Sequence, residues 1–554
     1  MSENECSAAA SAARRRIERI AFSDIPGQSK LFLDHLANAP RQREFYPPSV
    51  GVAERRDDVL NAYTIDRDKL CSILQRMNER FQAGAETFAN IEKLRRPDTV
   101  AVLTGQQAGL LTGPLYTIYK ALSTVKMAAE LDAQGVSAVP IFWVATEDHD
   151  LAEVSTAYAI SENGELDAVV AEGRGIADLP VGKVCLTDKD AAAIGEFLRR
   201  LPQTEANAEL IRELANIWAG GEEFGTAFGR TLTRLLHAYG VIIVDPLDEE
   251  LKRLASPMFV TAVERSEEIV DALLQRSRDI TEAGYAPQVL IEPDYFPFFW
   301  FDQNGARRAL KRTGDGRFAA KGSTSVFDLS DLAEIAERSP ECLSPAVMLR
   351  PVVQDFLFPT ICYFGGGAEV AYFAQTAEVY RLLERPFTPI FHRQSFSLVD
   401  PRHRRFLEKF GIGLADMFAG PAGLVPSLVR QFVDPAVFEK FAAAESTILG
   451  EISSLMAAIE PLAPPVAANL RTRSRKIEYH LDAVRRKFER SQMEQNSIVH
   501  RQLQNLFTEL LPKGHLQERT LTAAGFLGRF GPGLVDWIYC SIDLSDKEHR
   551  VIYI

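Results

Sequence analysis

Long apolar runs are missing from this chain of 554 residues. No stretch reaches the roughly 18 consecutive apolar residues that a membrane-spanning helix requires, so we expect no membrane partner. The first 20 residues also lack the charged-then-apolar layout of a secretory signal. Together these absences predict a cytoplasmic location.

Cysteine and excess positive charge are scarce as well. The six cysteines lie far apart and none forms a Cys-x-x-Cys pair, so we predict neither a disulfide framework nor a structural zinc site. The net charge of −13 argues against a nucleic-acid-binding surface, which needs a basic stripe. We therefore expect no nucleic-acid partner and no tightly bound metal.

What the chain does contain is an alternation of strands and helices. Short apolar runs at 100–103, 138–145 and 241–244 are separated by helix-like segments, the first of them at 115–129. The run at 138–145 is almost continuously apolar, which is typical of a strand buried on both faces of a parallel sheet. This pattern predicts an α/β fold.

Two segments interrupt that alternation. Residues 156–200 and 286–330 read as short alternating strands, and Asn304-Gly305 is a hairpin-type turn. We interpret both segments as β-rich insertions into a core that spans residues 1–430.

The C-terminal third has a helical period instead. Asp434-Pro435 is a good helix start, and Pro461, Pro464 and Pro465 stop that helix. A second helical run covers 466–510, which as one helix would be roughly 65–70 Å long. We therefore predict a coiled-coil hairpin over 431–511, and then a segment, 512–554, that returns to the core.

The first candidate site is the turn Thr104-Gly105-Gln106-Gln107-Ala108-Gly109 after the first strand. In an open α/β sheet, ligands bind beyond the carboxyl ends of the strands, and backbone N–H groups at the next helix start favour an anion. A purely structural turn needs only its glycines, so the paired glutamines suggest a ligand. A glycine turn with exposed polar residues explains the pattern equally well.

The second candidate is Glu147-Asp148-His149-Asp150, which follows the apolar run at 138–145. Three carboxylates and an imidazole can bind a cation, orient an ammonium group or supply a general base. Alternate side chains of an extended segment point to opposite faces, which makes metal binding by these neighbours awkward. A solvated polar loop is the alternative.

Three further features suit an anion. Arg350 lies among apolar residues, where it fits a ligand carboxylate or phosphate, or an ion pair with Asp355. The glycines at 365–367 allow close backbone approach, either to a ligand or within a tight structural link. A basic spot at 513–519 also suits a helix C-terminus.

Five motifs together carry a family resemblance. They are TGQQAGLLTGPLYTIYK (104–120), PIFWVATEDHD (140–150), LRPVVQDFLFPT (349–360), GGGAEVAYFAQ (365–375) and LPKGHLQER (511–519). In their order and spacing they resemble the cysteine ligase family of bacillithiol synthesis, over nearly the whole chain. The resemblance implies a Rossmann-like core with two inserted connecting segments and a C-terminal coiled coil that supports homodimers.

The same resemblance implies an activity, the joining of cysteine to glucosaminyl-malate. Because amide formation is uphill in water, ATP, converted to ADP or AMP and used with Mg²⁺, is the expected energy source. The core resembles class I nucleotidyltransferases, which carry His-x-Gly-His at the first strand-to-helix turn. Here Gln106-Gln107-Ala108-Gly109 stands there. The chain also lacks a Lys-Met-Ser-Lys-Ser loop, and Gly367 stands where the family pattern has proline.

These considerations give one hypothesis and two rivals. The hypothesis assigns catalysis to Gln107, Asp148 and His149, with further residues binding substrate and nucleotide. One rival is a metal-dependent hydrolase or lyase that uses residues 147–150, and the other is a non-catalytic assembly protein that works through its helical hairpin. The predicted substrate-binding residues are Thr104, Gly105, Gln106, Gly109, Thr112, Gly113, Glu147 and Arg350, and the predicted nucleotide-binding residues are Gly365, Gly366, Lys513 and Arg519.

Overall fold

The computed structural model describes residues 17–47, 51–202, 204 and 207–554. Within these ranges there are two compact units, one of residues 17–397 with Gln517–Arg550 and one of Leu398–Leu516 with Val551–Ile554. In the described part, the strands β1 to β15 are Ile17–Ile20, Val100–Gln106, Ala138–Val144, Thr156–Ile160, Leu166–Val170, Ile242–Val244, Tyr295–Phe301, Arg307–Arg312, Phe318–Ala320, Val326–Phe327, Leu343–Pro345, Thr360–Gly365, Ile390–His392, Ser395–Val399 and His549–Tyr553.

Helices make up much of the remainder. Within the described ranges, the α-helices are Lys30–Leu36, Arg56–Ala62, Arg67–Arg80, Ala85–Arg95, Tyr116–Ala133, Leu151–Val154, Asp188–Arg200, Ala208–Ile217, Phe224–Leu235, Glu249–Glu264, Ser266–Glu282, Leu329–Arg338, Arg350–Leu357, Gly367–Leu382, Pro401–Phe410, Gly420–Val429, Pro435–Ile459, Pro464–Gln495, Ser497–Leu510, Ala523–Phe530 and Gly533–Ser541.

A five-stranded parallel sheet in the order β13-β12-β2-β3-β6 forms the centre of the first unit. Leu103 of β2 lies beside Ile141 of β3 on one side and Tyr363 of β12 on the other. All seven residues of β3 are buried, as a parallel sheet covered by helices requires. The predicted Rossmann-like α/β core is confirmed.

The strand that leads to the first candidate site is longer than predicted. β2 continues to Gln106, so Thr104, Gly105 and Gln106 are paired with β3 rather than lying in a turn. The turn itself depends on two glycines. A Cβ atom on Gly109 would lie 2.6 Å from the Cα of Gly113, and Gly113 has a φ of 66°, in the left-handed region.

Antiparallel strands occur in both segments where insertions are predicted. β4 and β5 form a two-stranded sheet, and β7 to β11 form a five-stranded sheet in the order β10-β9-β8-β7-β11. The segment 156–200 also contains the helix Asp188–Arg200, which alternation did not predict. Gly305 has a φ of 83° in the turn between β7 and β8.

The second unit contains the helical hairpin. Pro435–Ile459 and Pro464–Gln495 are its long helices, and the first begins with Asp434 capping Ala436 N. The prediction of one helix over 466–510 is wrong, because that helix ends at Gln495 and a new one starts at Ser497. The Asn496 side chain accepts a hydrogen bond from Val499 N at 3.3 Å. Such a cap satisfies a backbone N–H at the start of a new helix, so the first helix does not continue through it.

Membrane spans and cysteines complete the description. No single helix of the described residues is long and apolar enough to cross a membrane, although a bent pair, Pro401–Phe410 with Ala415–Val429, passes the same criteria of length and composition.

Cys71, Cys185, Cys342 and Cys362 are free thiols, but Cys540 is disulfide-bonded. Spacing along the chain does not show which Cα atoms approach within the roughly 7 Å that a disulfide needs, so this bond was not predicted.

Candidate functional site

A cavity of about 610 Å³ opens at the carboxyl ends of β2, β3 and β12, and we call it the crevice. It lies where ligands bind in open α/β sheets. The structure brings nine of the predicted site residues together around it, namely Gly105, Gln106, Gln107, Glu147, Asp148, His149, Arg350, Gly366 and Arg519.

One side of the crevice is acidic. Gln107 Nε2 donates to Asp148 Oδ2 and to Glu153 Oε2, both at 2.8 Å. Burial works against the charge on Asp148, but the hydrogen bond from Gln107 and the nearby Arg307 hold its pKa below the usual value. Asp148 is therefore a carboxylate at neutral pH, and with Glu153 it offers two negative charges to a ligand ammonium group.

His149 lies beside this carboxylate. Its Nδ1 is 3.8 Å from Asp148 Oδ1 and 3.4 Å from a terminal nitrogen of Arg307, and its ring packs 6.0 Å from that of Phe299. Arginine can only donate, so this contact assigns Nδ1 as the acceptor and places the proton of a neutral ring on Nε2. In that tautomer Nε2 is the donor of the ring, so it can donate a hydrogen bond to a ligand oxygen.

Glu147 also lines the crevice, yet its charge is already neutralised within the fold. Its Oε1 lies 2.7 Å from Lys252 Nζ, and both side chains are buried. Lys252 Nζ donates a hydrogen bond to Leu343 O at 2.8 Å. This buried pair anchors the end of β3 to the helix Glu249–Glu264, so the geometry favours a structural role over direct ligand binding.

The other side of the crevice contains Arg350 and Arg393, and the charge of Arg393 is already paired with Glu518 Oε1 at 2.7 Å. A terminal nitrogen of Arg350 donates to Tyr372 OH at 2.6 Å, while its buried Nε has no hydrogen-bond partner among the described residues. The ion pair with Asp355 that the sequence allowed does not form, because Asp355 accepts from Tyr380 OH at 2.6 Å and from Thr388. No carboxylate of the described residues pairs with Arg350, which leaves its charge for a ligand anion.

The predicted nucleotide-binding residues are distributed unevenly. Gly366 N donates to Glu369 Oε2 at 2.8 Å, so this amide is satisfied inside the fold. Gly365 is buried in β12. Arg519 is exposed on the crevice and forms no ion pair with a described residue, so its guanidinium fits a phosphate. Lys513 belongs to the second unit, and its predicted role stays a prediction.

Four predicted substrate-binding residues do not line the crevice. Thr104 donates to Phe364 O at 2.7 Å and links β2 to β12, and Thr112 is buried with its Oγ1 3.2 Å from that of Thr522. Gly109 and Gly113 shape the turn, as described above. Glycine at these two positions allows the backbone conformation of the turn. Direct contact of these four residues with substrate stays a prediction.

Sequence reasoning missed several residues of the crevice. Lys120 and Glu369 stand inside two of the quoted motifs, so charge within an apolar helix was an available signal. Arg307 comes from the inserted antiparallel sheet and stacks 3.6 Å over the Phe299 ring. No local pattern marks it. The missed crevice residues that the geometry makes relevant are Lys120, Glu153, Arg307, Glu369, Tyr372 and Arg393.

Metal binding at residues 147–150 has little geometric support. In the described part of the chain, the one group of three potential ligands with atoms within 4.8 Å of one another is Asp400, His403 and Glu509, which lies in the second unit. His403 Nε2 is 3.0 Å from Glu509 Oε2, and the guanidinium of Arg402 lies 3.6 Å from both carboxylates. A neighbouring cation of this kind competes with a metal ion for the same charges.

A parallel α/β sheet with its crevice at the strand ends, together with a helical hairpin, defines a Rossmann-like protein with a coiled-coil domain. Two family models match the chain, "Bacillithiol biosynthesis BshC, N-terminal Rossmann-like domain" at residues 16–394 and "Bacillithiol biosynthesis BshC, C-terminal coiled-coil domain" at 396–554. The chain belongs to the BshC family, which confirms the family that the motifs predicted.

Similar proteins agree with this assignment. A protein of Koribacter versatilis (strain Ellin345) named "Putative cysteine ligase BshC" is 33% identical over 542 residues, covering 96% of this chain and 99% of its own. A protein of Solibacter usitatus (strain Ellin6076) with the same name is 32% identical over 532 residues, covering 96% and 98%.

Proposed function

We propose that this protein is a ligase that joins L-cysteine to glucosaminyl-malate, forming bacillithiol with the consumption of ATP. The names of its relatives support the cysteine ligase activity. The glucosaminyl-malate and ATP assignments rest on the family resemblance and on the chemistry of the crevice. Glucosaminyl-malate carries an amine and two carboxylates, so its site must offer both signs of charge.

The observation that carries the proposal is the separation of charge across the crevice. Asp148 and Glu153, bridged by Gln107, suit the amine, and Arg350, with no carboxylate partner among the described residues, suits the malyl carboxylates. A salt bridge between a guanidinium and a carboxylate is both strong and directional. The two groups thereby orient the substrate in a single direction.

The residues then have distinct roles in amide formation. ATP, with Mg²⁺, would activate the carboxylate of cysteine by transferring a phosphoryl or adenylyl group to it. The bound ammonium group first loses one proton to water, and the resulting amine attacks the carbonyl carbon of the activated carboxyl group. A C–N bond forms, the C–O bond to the transferred group breaks so that phosphate or AMP leaves, and Asp148 accepts the second proton from the nitrogen. Nε2 of His149 donates to the carbonyl oxygen, where negative charge develops. Arg519 pairs with phosphate.

We also propose that the protein forms a homodimer through its helical hairpin. The helix Pro435–Ile459 has no buried residue, and several of the large apolar side chains on this hairpin are exposed. Exposed apolar side chains that cluster on one element are typical of an association site. The exposed members are Ile448, Leu455, Leu462, Val466, Tyr479 and Val484, and we call them the hairpin apolar set.

The decisive experiment incubates the purified protein with glucosaminyl-malate, cysteine, ATP and magnesium, and follows bacillithiol and the nucleotide product. We expect thiol formation coupled to ATP consumption. Asp148→Asn should lower kcat by about 100-fold because one proton acceptor is lost. Arg519→Ala should raise the KM for ATP, whereas Lys189→Met, an exposed change outside the crevice, should leave both constants unchanged.

The rival functions give different results in the same assay. Hydrolysis or cleavage of the substrate that depends on a divalent metal and ignores cysteine would favour the hydrolase or lyase. If the purified protein forms no bacillithiol, yet deletion of the hairpin abolishes binding to other proteins of the pathway, the assembly role is correct and the ligase proposal is wrong.

A further inference from the structure

Lys120 has no donor left for a ligand, although it lines the crevice. The residue is buried, and its Nζ donates to Gly105 O at 2.9 Å, to Gln106 Oε1 at 2.8 Å and to Glu369 Oε2. An ammonium group has three N–H donors and no acceptor, so these contacts use its full capacity. Its function is therefore exerted through its neighbours.

Glu369 is occupied in the same way. Its Oε2 accepts from Gly366 N at 2.8 Å in addition to Lys120, and its Oε1 accepts from Tyr363 OH at 3.0 Å. The ion pair thus connects the end of β2 with the turn after β12, and these strands are neighbours in the parallel sheet. Two loops that border the crevice are held at a fixed separation.

The pair also decides how the Gln106 amide faces. Lysine can only donate, so the amide atom that it contacts must be the oxygen, and the amide cannot turn over without losing this bond. Gln106 Nε2 consequently points to the other side, where it lies 3.3 Å from Tyr116 OH. An amide nitrogen carries two hydrogens, and one of them remains for a ligand in the crevice.

We propose that Lys120 and Glu369 are positioning residues that orient the Gln106 amide as a hydrogen-bond donor to an anionic oxygen of the substrate. The inference rests on the proposed function, since it identifies how the same crevice binds a carboxylate or phosphoryl oxygen. A fixed neutral amide donor stabilises such an oxygen and does not change its protonation state with pH. A histidine in this place would titrate near neutral pH. The two neighbouring glutamines then have different roles: Gln106 donates to an anionic oxygen of the substrate, whereas Gln107 bonds to the carboxylates on the acidic side of the crevice.

The sharpest test is Gln106→Glu. A glutamate still accepts from Lys120, so it keeps the internal contact, but it cannot donate to a ligand and it adds negative charge. We expect the Kd for glucosaminyl-malate, measured by calorimetry without nucleotide, to rise about 10- to 100-fold, with an unchanged melting temperature. Unweakened binding by Gln106→Glu would overturn the proposal.

A second variant tests the pair itself. Lys120→Met with Glu369→Gln removes both charges together, so no unpaired charge is left buried. We expect the KM for glucosaminyl-malate to rise by about tenfold, as for the loss of one oriented hydrogen bond, with a smaller change in kcat. Lys126→Met on the same helix, whose ammonium lies over the Tyr539 ring, is the matched control and should change neither constant.

A structural readout separates this inference from the proposed function. If the wild-type protein binds no glucosaminyl-malate, the proposed function fails, and a crystal structure of the double variant still decides the positioning role. A Gln106 amide that adopts a new rotamer or turns over supports the inference. An amide that stays in place without Lys120 overturns it.

Discussion

The crevice and the helical hairpin differ in which kind of side chain each buries and which it exposes. Around the crevice, charged side chains are buried and paired, as in Lys120 with Glu369 and Lys252 with Glu147. On the hairpin, apolar side chains are exposed, and Leu462 has 86% of its surface accessible. These two charge pairs are satisfied within one chain, and Arg350 is left for a ligand anion, whereas the apolar side chains of the hairpin are exposed to solvent. This contrast supports the proposals that the first unit binds a small ligand and that the second mediates an association.

The largest expected effect comes from breaking a buried pair. Lys252→Met leaves Glu147 buried without its partner, and we expect the free energy of unfolding of the first unit to fall by about 3–5 kcal/mol. All four tryptophans of the chain lie in this unit, so their fluorescence in a denaturant titration measures its unfolding.

The matched control is an exposed pair on the hairpin. Arg471 lies 3.5 Å from Glu460, and both side chains are more than half exposed. Solvent screens such pairs, so Arg471→Met should change helix stability by less than about 1 kcal/mol, as measured by circular dichroism. Equal losses for the two variants would show that burial does not distinguish the two units.

A second prediction uses pH. His549 is buried between Ser395 Oγ at 2.8 Å and Ser397 Oγ at 3.0 Å, and burial lowers its pKa to about 4. As the pH falls through about 6.5, His549 is therefore protonated in the unfolded chain while it stays neutral in the folded chain. This contribution to stability is complete above pH 6.5 and is lost as the pH falls toward 4, by up to about 3 kcal/mol.

His549→Gln should flatten this part of the pH dependence of tryptophan-monitored unfolding. His480→Gln on the exposed face of the hairpin is the control, and it should leave the same curve unaltered. A wild-type stability that is constant between pH 4 and 6.5 would contradict the assignment of His549 as a neutral, buried side chain.

A third prediction compares two glycines and has opposite signs in the two units. A Cβ on Gly109 would lie 2.6 Å from the Cα of Gly113, so Gly109→Ala must shift the backbone. We expect this variant to lower the free energy of unfolding by about 1–3 kcal/mol and to weaken substrate binding. Gly450 lies in the helix Pro435–Ile459 with open space around it. Gly450→Ala should stabilise that helix by about 0.5–1 kcal/mol. Thermal unfolding followed by fluorescence and by circular dichroism reads the two changes separately, and two changes of the same sign would contradict this comparison.

The sequence was informative wherever the chemistry is local. Gln107 and Asp148 follow the carboxyl ends of the neighbouring parallel strands β2 and β3, so their position at the same edge of the sheet follows from the strand order. Arg307 could not be predicted in the same way, since the antiparallel sheet that carries it reaches the crevice only after long-range folding. The orientation of Gln106 depends on Lys120, fourteen residues further along the chain, and on Glu369, which no periodicity connects to either residue.

The break at Asn496 shows the limit on the hairpin side. Apolar spacing continued across it, so the pattern predicted one helix, but a single asparagine side chain bonded to Val499 N is enough to start a new one. Periodicity reports which face is apolar and does not report local competition for backbone hydrogen bonds.

The smallest expected change in folding concerns the hairpin apolar set. Leu455→Ser and Val484→Ser replace side chains that are 52% and 59% exposed, so each should alter the unfolding of a dilute single chain by less than about 0.5 kcal/mol. If these residues form a dimer contact, the pair of changes should still weaken self-association, measured by analytical ultracentrifugation, while glucosaminyl-malate affinity at the crevice stays constant. Thr472→Ser, an exposed polar change on the same helix as Val484, is the control. Association that is unaffected by both apolar changes would contradict dimerisation through this surface, and a simultaneous loss of ligand affinity would show that the two units do not act independently.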